Sequence, residues 1–383
     1  MSSAFTGIRV LDFTQAVQGP LGTSLLSDMG ADVIKVERHE SRAAGEVAPH
    51  FEAINRGKRS IVLDLSTDAG CEIVRRLAAS SDVVIENFRP GVIERMGFGF
   101  DVLSMLRPGI ILASASGWGR EGPWARRGGY DHVAQALSGV MSQQGTSRHD
   151  PQALIAGFAD RIGGMILAYA VASALFVRER TGLGQHVDVS LIGSMTQIQV
   201  QELTGYLETG TQDGFQRYRS PTYTHYPCLD GEFVAIAANT DAMWKRFCDA
   251  IDRPDLRADV SLDRRSDRLE RKDELVGQIS EAIGERPLAY WLERFAVHDV
   301  PHAPVLDHSG VVGHPQFLAN EYFVSVEDQQ GSKLMPGPPV HMSETPARIQ
   351  GWAPRLGQHT DEILRECGYS AIEISELREQ GAI

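Results

Sequence analysis

Asp160 has the surroundings that best suit covalent chemistry. An Asp at this place can simply be an N-cap, which accepts a hydrogen bond from the first turn of a helix. The nearby pair Gly163 and Gly164 suggests a role beyond capping. Each glycine costs a helix about 1 kcal/mol relative to alanine, which is justified where a backbone or ligand passes close by. A helix N-terminus should also keep the carboxylate ionised, and an ionised, accessible aspartate can act as a nucleophile.

A second group of residues could bind an anion. These are basic residues that flank predicted strand ends and short helices, namely Arg38, Lys58, Arg59, Arg89 and Arg95. Each alone is an ordinary surface charge, but together they occupy places where α/β folds bind anions. No GxGxxG follows the first strand, which disfavours a nicotinamide enzyme. The GxxxxGK[ST] and GxSxG motifs are absent, as are histidine pairs with zinc spacing, so we expect no metal.

The composition is that of a globular protein of acidic balance. The chain has 383 residues and a formal net charge of −13, with 42% hydrophobic and 23% charged residues. This argues against a protein that coats nucleic acid. Four scattered cysteines without a CxxC indicate neither a disulfide framework nor a zinc site. The start resembles no signal peptide and no run suggests a membrane span, so we expect a cytoplasmic protein.

Alternating strands and helices must position these residues. Strands are predicted at 8–13, 32–37, 60–65, 83–85 and 110–114, with helices between them, which is typical of a doubly wound parallel sheet. A long apolar helix follows Asp160, and a further strand is predicted at 186–190. The predicted domains are a large one at 1–207, a polar linker at 208–224, a small one at 225–325, and a return to the large domain at 326–383.

A series of short blocks occurs along the chain: GIRVLDF at 7–13, GP at 19–20, GADVIKVE at 30–37, NRGKRS at 55–60, ENFRPG at 86–91, GGYD at 128–131, QA at 135–136, SG at 138–139 and LGQHTDE at 356–362. In this order, the blocks resemble those of the family III CoA-transferases, which include formyl-CoA transferase and α-methylacyl-CoA racemase. They extend over nearly the whole chain, which makes the combined signal much stronger than any one block.

The resemblance implies a site and an architecture. It places the catalytic aspartate at Asp160. Contacts with CoA are implied for Gln15, Ala16, Val17, Arg38, Lys58, Arg59, Asn87, Phe88, Arg89 and Arg95, and a possible acyl pocket for Gln18, Tyr130, His132 and Gly139. It also implies a Rossmann-like large domain formed by both termini, a smaller α+β domain, and a homodimer of interlocked chains. The partners would be an acyl-CoA and a small carboxylic acid.

Departures from the family pattern favour CoA transfer over racemisation. The racemases carry a His where Tyr130 stands, and a Glu near the position of Asn239 or Thr240. Racemisation needs a proton acceptor and a proton donor on opposite faces of the α-carbon, and both expected partners are missing. The formyl-CoA:oxalate enzymes have a glutamine at the position of Val17, for which Gln15 or Gln18 could substitute.

The sequence therefore predicts an acyl-CoA:carboxylate CoA-transferase that works through an aspartyl anhydride and an aspartyl-CoA thioester. Backbone amides near Gly139 or at the start of the Asp160 helix could stabilise the oxyanions. A 2-methylacyl-CoA racemase or epimerase and a CoA-binding protein without catalysis remain alternatives. Because CoA carries several phosphate charges, the acidic chain needs a local pocket of positive charge.

Overall fold

The computed structural model describes residues 3–39, 49–144, 150–211, 220–328 and 331–383. The chain divides into two compact units. The large unit comprises Met1–Gln144, Pro151–Val200 and Leu318–Ile383, and the small unit comprises Gly145–Asp150 and Gln201–Phe317. Each is described separately below.

The large unit contains a six-stranded sheet in the order β3-β2-β1-β4-β5-β6, with every neighbouring pair parallel. Its strands are β1 (Arg9–Asp12), β2 (Asp32–Glu37), β3 (Arg59–Val62), β4 (Val83–Glu86), β5 (Ile111–Ser116) and β6 (His186–Ser190). The parallel α/β sheet expected from the sequence is confirmed. This strand order is that of Rossmann-type sheets, in which the order reverses between β1 and β4.

The helices of the large unit connect and cover these strands. They are α1 (Gln18–Asp28), α2 (Pro49–Asn55), α3 (Asp68–Ala79), α4 (Val92–Arg95), α5 (Phe100–Leu106), α6 (Asp131–Leu137), α7 (Met141–Gln144), α8 (Phe158–Thr181) and α9 (Leu191–Ile198). Among the described residues, α8 is long and apolar enough to cross a membrane by length and composition alone. Here it packs against α1 and the sheet, and it carries Asp160 near its start.

Helices cover both faces of the sheet. Because successive strand residues point to opposite sides, neighbouring residues of one strand pack in different core clusters. Leu11 lies in one core cluster with residues of α3 and α5, whereas Val10 lies in another with residues of α1 and α8. The first cluster is completed by apolar residues of α18 (Thr360–Glu366) and α19 (Ala371–Glu379). Residues 318–383 also contribute the antiparallel pair β10 (Phe323–Asp328) and β11 (Gly331–Pro336).

The small unit has its own core around a three-stranded antiparallel sheet, β7-β8-β9. Its strands are β7 (Tyr223–Pro227), β8 (Phe233–Ala237) and β9 (His302–Pro304). The helices, the first of which begins one residue before the unit and the last of which ends two residues after it, are α10 (Val200–Thr209), α11 (Asp241–Ala250), α12 (Pro254–Ala258), α13 (Arg265–Glu270), α14 (Lys272–Gly284), α15 (Leu288–Val297), α16 (His308–Gly313) and α17 (Pro315–Ala319).

The stretch 208–224, predicted as a linker, overlaps the end of α10 and the start of β7. Residues 212–219 of that stretch lie outside the described part of the chain.

Candidate active site

Two cavities open at the carboxyl edge of the parallel sheet, beside the switch point between β1 and β4, where such sheets bind ligands. The smaller cavity measures about 290 Å³. It is lined by Gln15, Ala16, Gln18, Asn87, Phe88, Arg89, Pro90, Ala115, Ser116, Gly117, Ala125, Arg127, Gly128, Gly129, Tyr130, Asp160 and Leu191. Loops after three strands therefore meet the start of α8 around one space.

The larger cavity measures about 710 Å³ and lies beside the smaller one. Its lining is mainly apolar with a few charges, and comprises Phe13, Thr14, Gln15, Ala16, Val17, Pro20, Lys35, Val36, Glu37, Arg38, His50, Phe51, Ile54, Asn55, Leu65 and Phe88. Three residues, Gln15, Ala16 and Phe88, line both cavities. They form a wall between the two spaces.

Hydrogen bonds from the loop after β4 hold this wall. The Asn87 side chain accepts from the Gln15 N–H at 2.8 Å and donates to the Gln15 carbonyl at 2.7 Å. Ala16 follows with a φ of 58°, in the left-handed region that non-glycine residues seldom occupy. The buried Glu86 carboxylate accepts from the Phe88 N–H at 2.7 Å. The Asn87 amide, predicted to contact CoA, is thus engaged in positioning the wall.

Asp160 does not cap its own helix. It is the third residue of α8, whose N-cap is Gly157 with a φ of 77°. The cap comes instead from Asp131, the first residue of α6. Its carboxylate accepts from the N–H groups of Gly157 at 2.9 Å, Ala159 at 2.7 Å and Asp160 at 3.4 Å. The N-cap explanation of Asp160 is therefore wrong, and its carboxylate lines the smaller cavity.

The pKa of Asp160 is raised to about 6, which contradicts the expectation that the helix start would favour its ionised form. Burial is the main cause, and the negative charge of Asp131 adds to it, whereas Arg161 acts in the opposite direction. The group is still mostly ionised at pH 7. It is a more basic carboxylate than an exposed aspartate.

The glycine pair after Asp160 lies where α8 crosses α1. A Cβ on Gly163 would lie 2.7 Å from the Gln18 Nε2 atom, and a Cβ on Gly164 would lie 2.7 Å from the Gln18 carbonyl oxygen and 3.2 Å from the Gly22 nitrogen. The expectation that another backbone passes close to these glycines is confirmed. That backbone is α1.

Gln18 connects this crossing to the cavity. Its side chain is 4% exposed and lines the same space as Asp160. Its Nε2 atom is buried and has no hydrogen-bond partner within the described ranges. An unsatisfied buried donor of this kind is costly, and the side chain that carries it lines the cavity of Asp160.

Two basic residues of the predicted pocket are engaged elsewhere. Lys58 is buried, and its Nζ donates to the Asp12 carboxylate, the Pro20 carbonyl and the Asn55 side chain at 2.8–3.0 Å. Arg59 begins β3, so it lies at the amino edge of the sheet, opposite the cavities. There it pairs with carboxylates of Asp32, Glu362 and Glu366. Neither residue lines either cavity.

The other predicted residues divide between the two cavities and the surface. Arg38 and Val17 line the larger cavity, whereas Arg89 and Tyr130 line the smaller one. Arg95, His132 and Gly139 line neither. The Gly139 N–H donates to the Ala136 carbonyl at 3.3 Å, and the N–H groups of Gly157, Ala159 and Asp160 donate to Asp131, so these amides are already engaged.

Sequence reasoning missed three residues of this region. Asp131 belongs to the GGYD block at 128–131, and that block was the available signal. Lys35 lines the larger cavity and donates to the Thr14 carbonyl at 2.8 Å. Arg127 lines the smaller cavity with its guanidinium 4.4 Å from the centre of the Trp124 ring. Among the described residues, no group of three His, Cys, Asp or Glu side chains could hold a metal ion.

Comparison with known proteins gives a consistent result. The model of the family described as CoA-transferase family III matches residues 5–360. The acetyl-CoA:oxalate CoA-transferase of Acetobacter aceti is 33% identical, over 94% of this chain and 95% of that protein. The succinyl-CoA:mesaconate CoA-transferase of Haloarcula marismortui is 35% identical, over 95% of this chain and 96% of that protein. The crystal structure of a CAIB/BAIF family protein from Brucella suis superposes with a TM-score of 0.85 at 30% identity, over 96% and 100% of the chains.

Proposed function

The chain belongs to CoA-transferase family III, and we propose that it moves CoA from an acyl-CoA thioester to a small carboxylic acid with Asp160 as the nucleophile. The observation that carries this proposal is the placement of Asp160. Its carboxylate is half-buried and lines a cavity at the switch point of the sheet. It does not cap α8, because Asp131 binds the amides at the start of that helix.

The proposed reaction conserves the energy of the thioester. The Asp160 carboxylate attacks the donor carbonyl carbon, the C–S bond breaks, and CoA thiolate leaves from a mixed anhydride. The thiolate then attacks the aspartyl carbonyl, releasing the donor acid and forming an aspartyl-CoA thioester. The acceptor carboxylate displaces thiolate from this thioester to give a second anhydride. Thiolate attack on its acceptor carbonyl yields the new acyl-CoA and restores Asp160.

The two cavities suggest where the substrate parts bind. We assign the nucleotide end of CoA to the larger cavity, where Phe51, Ile54 and Phe88 offer apolar surface and Arg38 a positive charge. The thioester would then cross the wall of Gln15 and Ala16 to reach Asp160. Arg89 and Arg127 add positive charge around the smaller cavity. That charge suits phosphate or carboxylate groups.

Gln18 is the oxyanion donor that we assign for each tetrahedral intermediate. Its Nε2 lies against Gly163 and has no partner among the described residues, and its side chain lines the cavity of Asp160. A donor in place before the reaction stabilises developing negative charge without reorganisation. This assignment replaces the backbone amides expected from the sequence.

The acceptor is proposed to be a small acid, in keeping with the cavity of about 290 Å³ around Asp160. The relatives are named for oxalate, mesaconate, glutarate and malate. We also propose an interlocked homodimer in the cytoplasm, as the family resemblance implied. Exposed apolar residues along α8, Met165, Tyr169, Phe176 and Val177, offer surface for a second chain.

Trapping the covalent intermediate tests this function. Wild-type protein incubated with succinyl-CoA and then hydroxylamine should carry a hydroxamate on the peptide that contains Asp160, detected by mass spectrometry. Asp160→Ala and Asp160→Asn should lose both the adduct and CoA transfer to a panel of carboxylic acids. Asp101→Asn, an exposed residue in the first turn of α5, is the matched control and should retain both.

Near-normal turnover by Asp160→Ala would contradict the proposal. So would exchange of the α-proton of a 2-methylacyl-CoA in D2O without CoA transfer, because that result identifies a racemase.

A further inference from the structure

We propose that Asp131 is a positioning residue for the nucleophile: its carboxylate binds the amides at the start of α8 and so leaves the Asp160 carboxylate free to attack. The proposal rests on the function proposed above. Asp131 begins α6 and Asp160 lies in α8, with α7 between them in the chain.

The contacts of Asp131 are those of a side chain that caps the N-terminus of α8. One carboxylate oxygen accepts from the Gly157 N–H at 2.9 Å and from the Gln135 side chain at 2.9 Å. The other accepts from the Ala159 N–H at 2.7 Å and, at 3.4 Å, from that of Asp160. Gln135 is fully buried, and its oxygen in turn accepts from the Leu154 N–H at 2.9 Å. Both ends of the segment 154–160 are therefore fixed from α6.

This arrangement changes what Asp160 can do. An acidic side chain in the first turn of a helix ordinarily binds the free amides of that turn. Those amides are already bound to Asp131, and none of the described residues donates a hydrogen bond to the Asp160 carboxylate. Its lone pairs are thus available to a substrate carbon rather than held by the protein.

The second effect of Asp131 is electrostatic. Its charge adds to burial in raising the pKa of Asp160 to about 6, against the opposing charge of Arg161. From other elements, Arg89, Arg127 and Tyr130 line the same cavity. A carboxylate with this pKa is ionised at neutral pH and is a better nucleophile than an exposed aspartate, because reactivity rises with basicity.

The test replaces Asp131 by neutral residues that can still cap, Asp131→Asn and Asp131→Ser. Removing the charge lowers the pKa of Asp160, so the acidic limb of the pH profile of kcat/KM should move down by about 0.5–1 pH unit. At pH 8, kcat should fall about 2- to 3-fold, with KM for the acyl-CoA little changed. Arg161→Gln is the control of opposite sign, and its acidic limb should move up.

Two variants keep the test decisive if one of them folds poorly, which circular dichroism and thermal unfolding will show. Loss of activity with an unmoved acidic limb in a folded variant would overturn the proposal, because that is what a purely structural cap predicts. Hydroxylamine trapping separates the two hypotheses. If the wild type forms no adduct at Asp160, the proposed function fails. If the wild type forms the adduct, and both folded variants keep the wild-type kcat and the wild-type acidic limb of kcat/KM, only the role of Asp131 fails.

Discussion

Replacing Gly163 and Gly164 by alanine, one at a time, should separate activity from stability. A Cβ on Gly163 would lie 2.7 Å from the Gln18 Nε2 and 3.0 Å from its Cγ. These atoms belong to a side chain that can rotate, so the backbone need not move. Alanine also favours the helix by about 1 kcal/mol. We therefore expect Gly163→Ala to change the free energy of unfolding by no more than about 1 kcal/mol, while displacing Gln18 from the cavity.

Turnover should respond much more strongly. Loss of one preorganised oxyanion donor lowers kcat by about 10²- to 10³-fold. The assay is steady-state CoA transfer with saturating acyl-CoA, with Gln18→Ala as the comparator. Because both changes remove the same donor, the double variant should be hardly slower than either single one.

Gly164→Ala should instead destabilise the protein. Its Cβ would meet the Gln18 carbonyl oxygen at 2.7 Å and the Gly22 nitrogen at 3.2 Å, and both are backbone atoms of α1. The helices would have to separate, at a cost of about 1–3 kcal/mol. Urea unfolding followed by circular dichroism measures this loss.

Wild-type kcat in Gly163→Ala, or multiplicative effects of Gly163→Ala and Gln18→Ala, would refute the assignment of Gln18.

Three further predictions concern charge. Arg59→Gln should leave KM for the acyl-CoA unchanged, because its guanidinium is paired at the opposite edge of the sheet, whereas Arg89→Gln should raise that KM about 10-fold in steady-state kinetics. Asp12→Ala should lower the free energy of unfolding by about 3–5 kcal/mol, because buried Lys58 loses its counterion; urea unfolding should show much of this loss recovered in the double variant with Lys58→Met. The kcat/KM should fall tenfold per pH unit below about 6 as Asp160 takes up a proton, and a pH–rate profile with its limb near 4 would contradict this.

The sheet was accessible to prediction because its strands are short apolar runs separated by helices and turns. The strand β7 was not predicted, since Tyr223–Pro227 contains polar and proline residues within a polar stretch. Its partner β8 gave a clearer apolar signal. Pairing with β8 supplies the hydrogen bonds that make such a segment a strand.

The site was predicted in part, and the errors have a common physical origin. A sequence shows that a residue is charged but does not show what its charge faces. Lys58 stands in the NRGKRS block, yet the buried Asp12 carboxylate requires a counterion, and Lys58 supplies it. Asp131 and Asp160 are far apart in sequence, so neither the cap nor its effect on pKa could be found from spacing.

The large unit combines segments that are far apart in the chain, and this bears on how the protein is made. One side of its sheet is covered by α3 and α5 together with Ile363, Leu364, Ile374 and Leu377, which belong to its last segment. A ribosome that has produced residues 1–200 has made all six strands of this sheet but not these side chains. The nascent sheet must leave the part of that apolar core that these side chains cover open while the small unit is being synthesised, which exposes it to aggregation or to chaperones. Slow translation of residues 201–317 should therefore lower the yield of folded protein.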